Sequence, residues 1–293
     1  MFASLMPDLI AIDAGPAEAV KVAARAGFAG LDLRLNRFTP DIERLGIERF
    51  TDAVEAAGLR VGYCSLTAQK IGVDEEEWRA GIAALPGRAR VAQSLGYTRA
   101  TSVVVPFSDD LDAEANAELH ATRTREAADI FADFDISFGL EYVSPQTRWR
   151  DGKHPFVRTL DGLLSLLERV DRPNTGVMLD CFHWACAEET ADDLRKLRPE
   201  QIIAVHVNDL VADRPLSEQT VMERELPGVT GGVDIETFLR TLAEIGYTGP
   251  VTAEPTNPRW KLTARQTAAA ETADSINACL RRAGLPAPTP ASP

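Results

Sequence analysis

The chain has 293 residues, 45% of them hydrophobic, which suits a folded protein with a sizeable core. Its 31 basic and 44 acidic residues leave a net charge of −13, a surface that repels phosphate backbones and argues against nucleic acid as a partner. There is no run of about 18 apolar residues to cross a membrane, and no basic start followed by a long apolar core as in a signal peptide, so a cytoplasmic protein is expected. The cysteines Cys64, Cys181, Cys186 and Cys279 show neither CxxC nor disulfide-framework spacing and are expected to be reduced thiols.

In chain order, strands are predicted at Leu9–Ile12, Gly30–Leu33, Val61–Leu66, Ala100–Val105, Ile136–Tyr142, Gly176–Asp180, Ile202–Val207 and Val251–Glu254. Helices are predicted at Pro16–Ala26, Asp41–Ala57, Glu75–Leu95, Ala113–Phe134, Leu160–Arg169, Ala191–Leu197, Ile235–Ile245 and Ala264–Arg282. Gly27, Gly58, Gly96 and Gly246 stand where helices should stop, because glycine accepts the left-handed cap conformation. Eight strand–helix units argue for an α/β fold, a (β/α)₈ TIM barrel in a single domain over residues 1–283. A doubly wound sheet would show a glycine-rich phosphate turn after an early strand, and none is present. Segments 143–159 and 208–234 are long loops. The last ten residues, 284–293, hold four prolines and read as a disordered tail.

Four predicted strands finish at or near a metal-binding side chain: Glu141, Asp180, His206 and Glu254. Taken singly, such an acid is most often a cap or a loop ion pair, and a lone histidine is often a core residue. Strand ends of a parallel barrel converge on one face, however, so the four together predict an O₃N site for one divalent ion, with Mn²⁺, Mg²⁺, Co²⁺, Fe²⁺ and Zn²⁺ all compatible. His183 follows Asp180 by three residues and faces either substrate or a neighbouring ligand. Asp209 stands in the same relation to His206 and is expected to orient an imidazole or accept a substrate hydroxyl. Arg224 precedes a Pro–Gly turn and is expected to enter the mouth. Trp149, Trp184 and Trp260 lie beyond ligand strands, where rings cover sugar faces or simply pack. Lys153 and His154 lie in the loop after the fifth predicted strand, and His120 is expected on a helix surface.

At these residues the chain resembles the xylose isomerase-like barrel superfamily of sugar isomerases and epimerases, most closely the inosose isomerases. The stretches that carry it are Gly30-Leu-Asp-Leu-Arg34, Leu140-Glu-Tyr-Val143, Asn174 to His183, His206-Val-Asn-Asp209, Arg224 to Glu236, Leu242 to Thr248 with Glu254, and Trp260-Lys-Leu-Thr-Ala264. The resemblance implies metal ligation by Glu141, Asp180, His206 and Glu254, and substrate contacts from His183 and Arg224. Asp209, Trp260 and Lys261 complete the expected substrate-binding set. The segment Thr147 to Pro155 departs from the inosose isomerase pattern in its greater length.

The implied reaction moves a carbonyl on a keto-cyclitol or ketose. Glu141 and Glu254 would shuttle a proton through an enediolate stabilised by the divalent ion. The partner is then a small polyhydroxylated ketone, and a homo-oligomer is compatible with the resemblance. A metal-dependent dehydratase or lyase acting on a keto-cyclitol, dehydroshikimate or keto-glycoside is the alternative enzyme. A non-catalytic sugar-binding subunit would predict loss of a glutamate ligand, and a DNA-repair endonuclease would want more histidines and a basic groove.

Overall fold

The computed structural model describes residues 1–65 and 71–287. Eight strands form a closed parallel barrel: β1 (Phe2–Leu5), β2 (Gly30–Arg34), β3 (Arg60–Ser65), β4 (Arg99–Val103), β6 (Ser137–Glu141), β8 (Thr175–Asp180), β9 (Ile202–Val207) and β10 (Pro250–Ala253), with β10 closing on β1. Two-residue strands β5 (Phe107–Ser108) and β7 (His154–Pro155) pair antiparallel as a separate ribbon. The strands read as short apolar runs because both faces are covered, one by the barrel interior and one by helices. All six residues of β9 are buried.

The helix Ile235–Ile245 shows how the outer ring is specified. Ile235, Phe238, Leu239 and Leu242 fall on one face and are buried. The Asp234 carboxylate accepts from the Thr237 amide at 3.0 Å and caps the start. Gly246, at φ 103°, ends the helix and turns the chain towards β10. Removing the Leu242 side chain to alanine would cost about 2–5 kcal/mol, the usual scale for a buried leucine.

Three sequence expectations are corrected. The first barrel strand is Phe2–Leu5, not Leu9–Ile12, because Pro7 presets the backbone for a 3₁₀ turn over Pro7–Ile10 that Ala11 ends in the left-handed region. The predicted helix Asp41–Ala57 is two helices, Leu35–Leu45 and Ile47–Ala56, broken at Gly46 with φ 96°. His120 is buried, not superficial: its Nδ1 bonds the Asn116 carbonyl at 2.9 Å and its ring packs on Phe156. Of the remaining expectations, Leu66 and residues 288–293 of the tail lie outside the described residues. The four cysteines are free thiols, and no described helix is long and apolar enough to cross a membrane.

Asp32, on β2, is fully buried inside the barrel. It accepts from the Tyr63 amide at 2.9 Å and the Thr252 hydroxyl at 2.6 Å, and so ties β2 to β3 and β10. Gly62 makes room for it, since a Cβ there would collide with the Asp32 carboxylate. Burial pushes the Asp32 carboxyl up to about 6, against the pull of its Thr252, Tyr63 and Ser4 hydrogen bonds. The unfolded group titrates near 4, so between about pH 4 and pH 6 the folded chain holds a proton that the unfolded chain has lost. The contribution to stability is therefore complete below about pH 4 and lost as the pH rises through 6, an effect on the order of 3 kcal/mol. Asp32→Asn should flatten this part of the pH profile in urea unfolding of the chelator-treated protein. Parallel wild-type and variant profiles from pH 4 to 7 would contradict it.

Candidate metal centre

Glu141 and Asp180 are the last residues of β6 and β8, His206 is the penultimate residue of β9, and Glu254 follows β10 directly. The sheet register therefore brings all four to the C-terminal rim. Each offers one ligand atom, and these atoms lie within 4.8 Å of one another. His206 turns Nδ1 inward, 3.2 Å from Glu254 Oε2 and 3.9 Å from Glu141 Oε1.

The cluster is dry. Glu141 is 5% exposed, His206 3% and Asp180 fully buried. The charges are balanced from within the protein by Arg224, whose Nη1 donates to Asp180 Oδ2 at 2.8 Å and to Glu254 Oε2 at 2.9 Å. Burial, reinforced by the Glu254 charge, pushes the Glu141 carboxyl up to about 8. At Glu254 burial works in the same direction, but Arg224 and His206 overcome it and hold the carboxyl well below the usual range. Glu141 Oε1 is buried with no hydrogen-bond partner among the described residues. Three carboxylates, two of them buried and Glu254 partly exposed, one with an orphaned oxygen, and an inward imidazole nitrogen form a donor set that fits a divalent cation.

A second layer holds these groups. The Asn208 amide donates to Asp180 Oδ1 and Oδ2 at 3.0 and 3.1 Å, while its Oδ1 accepts from the Glu254 amide at 2.7 Å. The Phe182 amide donates to Asp180 Oδ1 at 2.8 Å. Cys181 points away, its sulfur against the Asn208 backbone.

The other expected residues fall in three groups. His183 is buried beside the cluster, Nε2 4.0 Å from Glu141 Oε1, and burial lowers its imidazole to about 4, so it is neutral. Arg224 is buried in the cluster, paired with Asp180 and Glu254, and its guanidinium also stacks 4.7 Å from the Phe182 ring centre. Asp209 does neither thing expected of it. Its carboxylate is fully buried and accepts from the amides of Leu210, Thr230, Gly231 and Val233, so it pins the loop after β9.

Trp260 and Lys261 line a neighbouring groove with Asp8 and Met222, and Trp260 is buried with its indole bonded to the Pro255 carbonyl. Trp149 and Trp184 likewise donate to backbone carbonyls, of Ser144 and Thr190. Among the described residues, no tryptophan lines the cavity at the ligands. The two long loops meet where Thr147 donates to the Gln219 carbonyl at 2.7 Å, and the Lys153–His154 segment is held by Asp109 and β5.

That cavity, about 220 Å³, has Glu141, His206 and Glu254 on one side. Its other walls include Arg34, Asn36, Ser102 and Tyr63, none of which was predicted to be a site residue. Arg34 ends β2, so the strand-end rule applied to all eight strands would have found it. Tyr63 and Asn208 carry no sequence signal of their own, since a tyrosine in a strand and an asparagine after one are ordinary.

The xylose isomerase-like TIM barrel family matches residues 20–281. An inosose isomerase from Bacillus velezensis is 26% identical over 208 residues, 69% of this chain and 70% of that protein. A ketose 3-epimerase and a 3-dehydroshikimate dehydratase are also among the relatives. A xylose isomerase domain protein from Alicyclobacillus acidocaldarius superposes with a TM-score of 0.84 at 27% identity, covering 96% of this chain and 99% of that one. The IOLI protein crystallised with a zinc atom superposes with a TM-score of 0.81 at 17% identity, covering 97% and 98%. With the family match spanning nearly the whole of this closed barrel, the chain belongs to the xylose isomerase-like TIM barrel family.

Proposed function

We propose that this protein is a divalent-metal-dependent isomerase or epimerase acting on a polyhydroxylated ketone of the inosose or ketose class. The observation that carries the reading is the pair Glu141 and Glu254, both lining one small cavity and both within the four-residue donor set. Relatives named for inosose isomerisation and ketose epimerisation support it, and a relative in fold that binds zinc supports the ion.

The bound ion would be held by Glu141, Asp180, His206 and Glu254, and it supplies Lewis-acid polarisation of the ketone and charge stabilisation as the neighbouring carbon loses its proton. The chain supplies the rest. One of Glu141 and Glu254 removes the proton, and either returns it. Delivery to the adjacent carbon moves the carbonyl, and delivery to the opposite face of the same carbon inverts the centre. His183, neutral and next to Glu141, donates a hydrogen bond to a substrate oxygen. Arg224 keeps Asp180 and Glu254 together. Across the cavity, Arg34 and Asn36 face the far hydroxyls, and Met6 and Leu9 close an apolar side that keeps water from the reacting carbon.

Three outcomes are expected. Asp180→Ala should lower the divalent ion carried by the purified protein, and undiminished content in the variant would remove Asp180 from the ligand set. Glu141→Gln and Glu254→Gln should each cut turnover by at least about 100-fold, the scale of losing a general base; near-normal turnover in either would free that glutamate from proton transfer. In deuterium oxide, NMR of an inosose incubated with the metal-loaded enzyme should show deuterium at the carbon next to the carbonyl and a transposed or inverted product. An unsaturated product with release of water would move the assignment to the dehydratase.

A further inference from the structure

We propose that Tyr63 is a positioning residue of the metal centre: its hydroxyl holds the His206 ring so that Nδ1 faces the three carboxylates. The inference rests on the metal reading above and adds a residue to it. In the closed strand order β1-β10-β9-β8-β6-β4-β3-β2, β3 stands diametrically across from β9. The Tyr63 hydroxyl crosses the barrel and lies 2.7 Å from His206 Nε2, while Nδ1 lies 3.2 Å from Glu254 and 3.9 Å from Glu141. Each ring nitrogen thus has one partner, and the ring cannot turn over without losing both contacts.

A neutral imidazole carries one N–H. With that proton on Nε2 and accepted by the phenol oxygen, the Nδ1 lone pair points at the carboxylates, the arrangement in which a histidine ligates a metal. A hydroxyl both donates and accepts, so it serves His206 in either protonation pattern.

Tyr63 is itself fixed. Its ring packs with Met6, Leu9, Met178 and Ala204, and its amide donates to the buried Asp32 carboxylate. Asp32 accepts in turn from Thr252, two residues before Glu254. The strut therefore runs from the strand that leads to one ligand, through Asp32 and Tyr63, to the ring of another.

Tyr63→Phe tests this, because it keeps the ring and removes the hydroxyl. Tyr97→Phe is the control: Tyr97 is also buried, and its hydroxyl donates to the Leu31 carbonyl at 3.1 Å, away from the cluster. Chelator-stripped wild type and both variants are titrated with Mn²⁺ and with Zn²⁺ by calorimetry, after thermal melts establish that the stripped proteins are folded. Tyr63→Phe should bind about 10–100-fold more weakly and Tyr97→Phe like wild type. Affinity of Tyr63→Phe equal to wild type, or an equal loss in Tyr97→Phe, overturns the inference. Absence of binding by the wild type would instead overturn the metal reading, and the inference with it. Nitrogen NMR of the histidine side chains in metal-loaded wild type decides independently of how well the variant folds. His206 should carry its proton on Nε2, and a proton on Nδ1 overturns the inference.

Discussion

Three carboxylates crowd together at the barrel rim, two of them buried, and their mutual repulsion is the constraint around which the site is arranged. Buried charges are expensive unless paired and hydrogen-bonded. Here the compensation is layered. Arg224 lies between Asp180 and Glu254, His206 contacts Glu254, and Asn208 ties the Asp180 carboxylate to the Glu254 backbone. Glu141 is left with an oxygen that has no hydrogen-bond partner among the described residues and with a raised carboxyl pKa. A divalent cation held there would remove the repulsion and satisfy that oxygen in one step, which is the physical ground for the proposed metal centre.

The barrel makes such crowding possible. Parallel strands deliver their last residues to one rim, so ligands far apart in sequence meet without a local motif. The long connections after β6 and β9 meet where Thr147 donates to the Gln219 carbonyl. Asp209 fastens the second of them through four backbone amides, so the long connection between His206 and Arg224 is anchored rather than loose. A carboxylate fully engaged in this way shapes the site by holding a loop, without touching the reaction.

Much of this was legible in the sequence. The strand β9 and the helices Pro16–Ala26 and Ile235–Ile245 were predicted to the residue, because apolar periodicity and glycine stops mark them strongly. That Glu141, Asp180, His206 and Glu254 come together was visible because chemistry and strand ends coincide. What was hidden followed from geometry. Pro7 converted an apolar run into a 3₁₀ turn and moved the first strand to Phe2–Leu5. A carboxylate looks more chemical than the amide beside it, yet it is Asn208, not Asp209, that bonds both Asp180 and the Glu254 backbone. Tyr63 acts across the barrel on a residue 143 positions away, a pairing that only the closed sheet creates.

The measurement that bears most directly on the account is anomalous diffraction from crystals of the full chain soaked in Mn²⁺. The account predicts one anomalous peak per chain at about 2.0–2.3 Å from oxygens of Glu141, Asp180 and Glu254 and from Nδ1 of His206, distances typical of divalent ions on such ligands. Crystals in which the four side chains are ordered as described but hold no peak among them would contradict it.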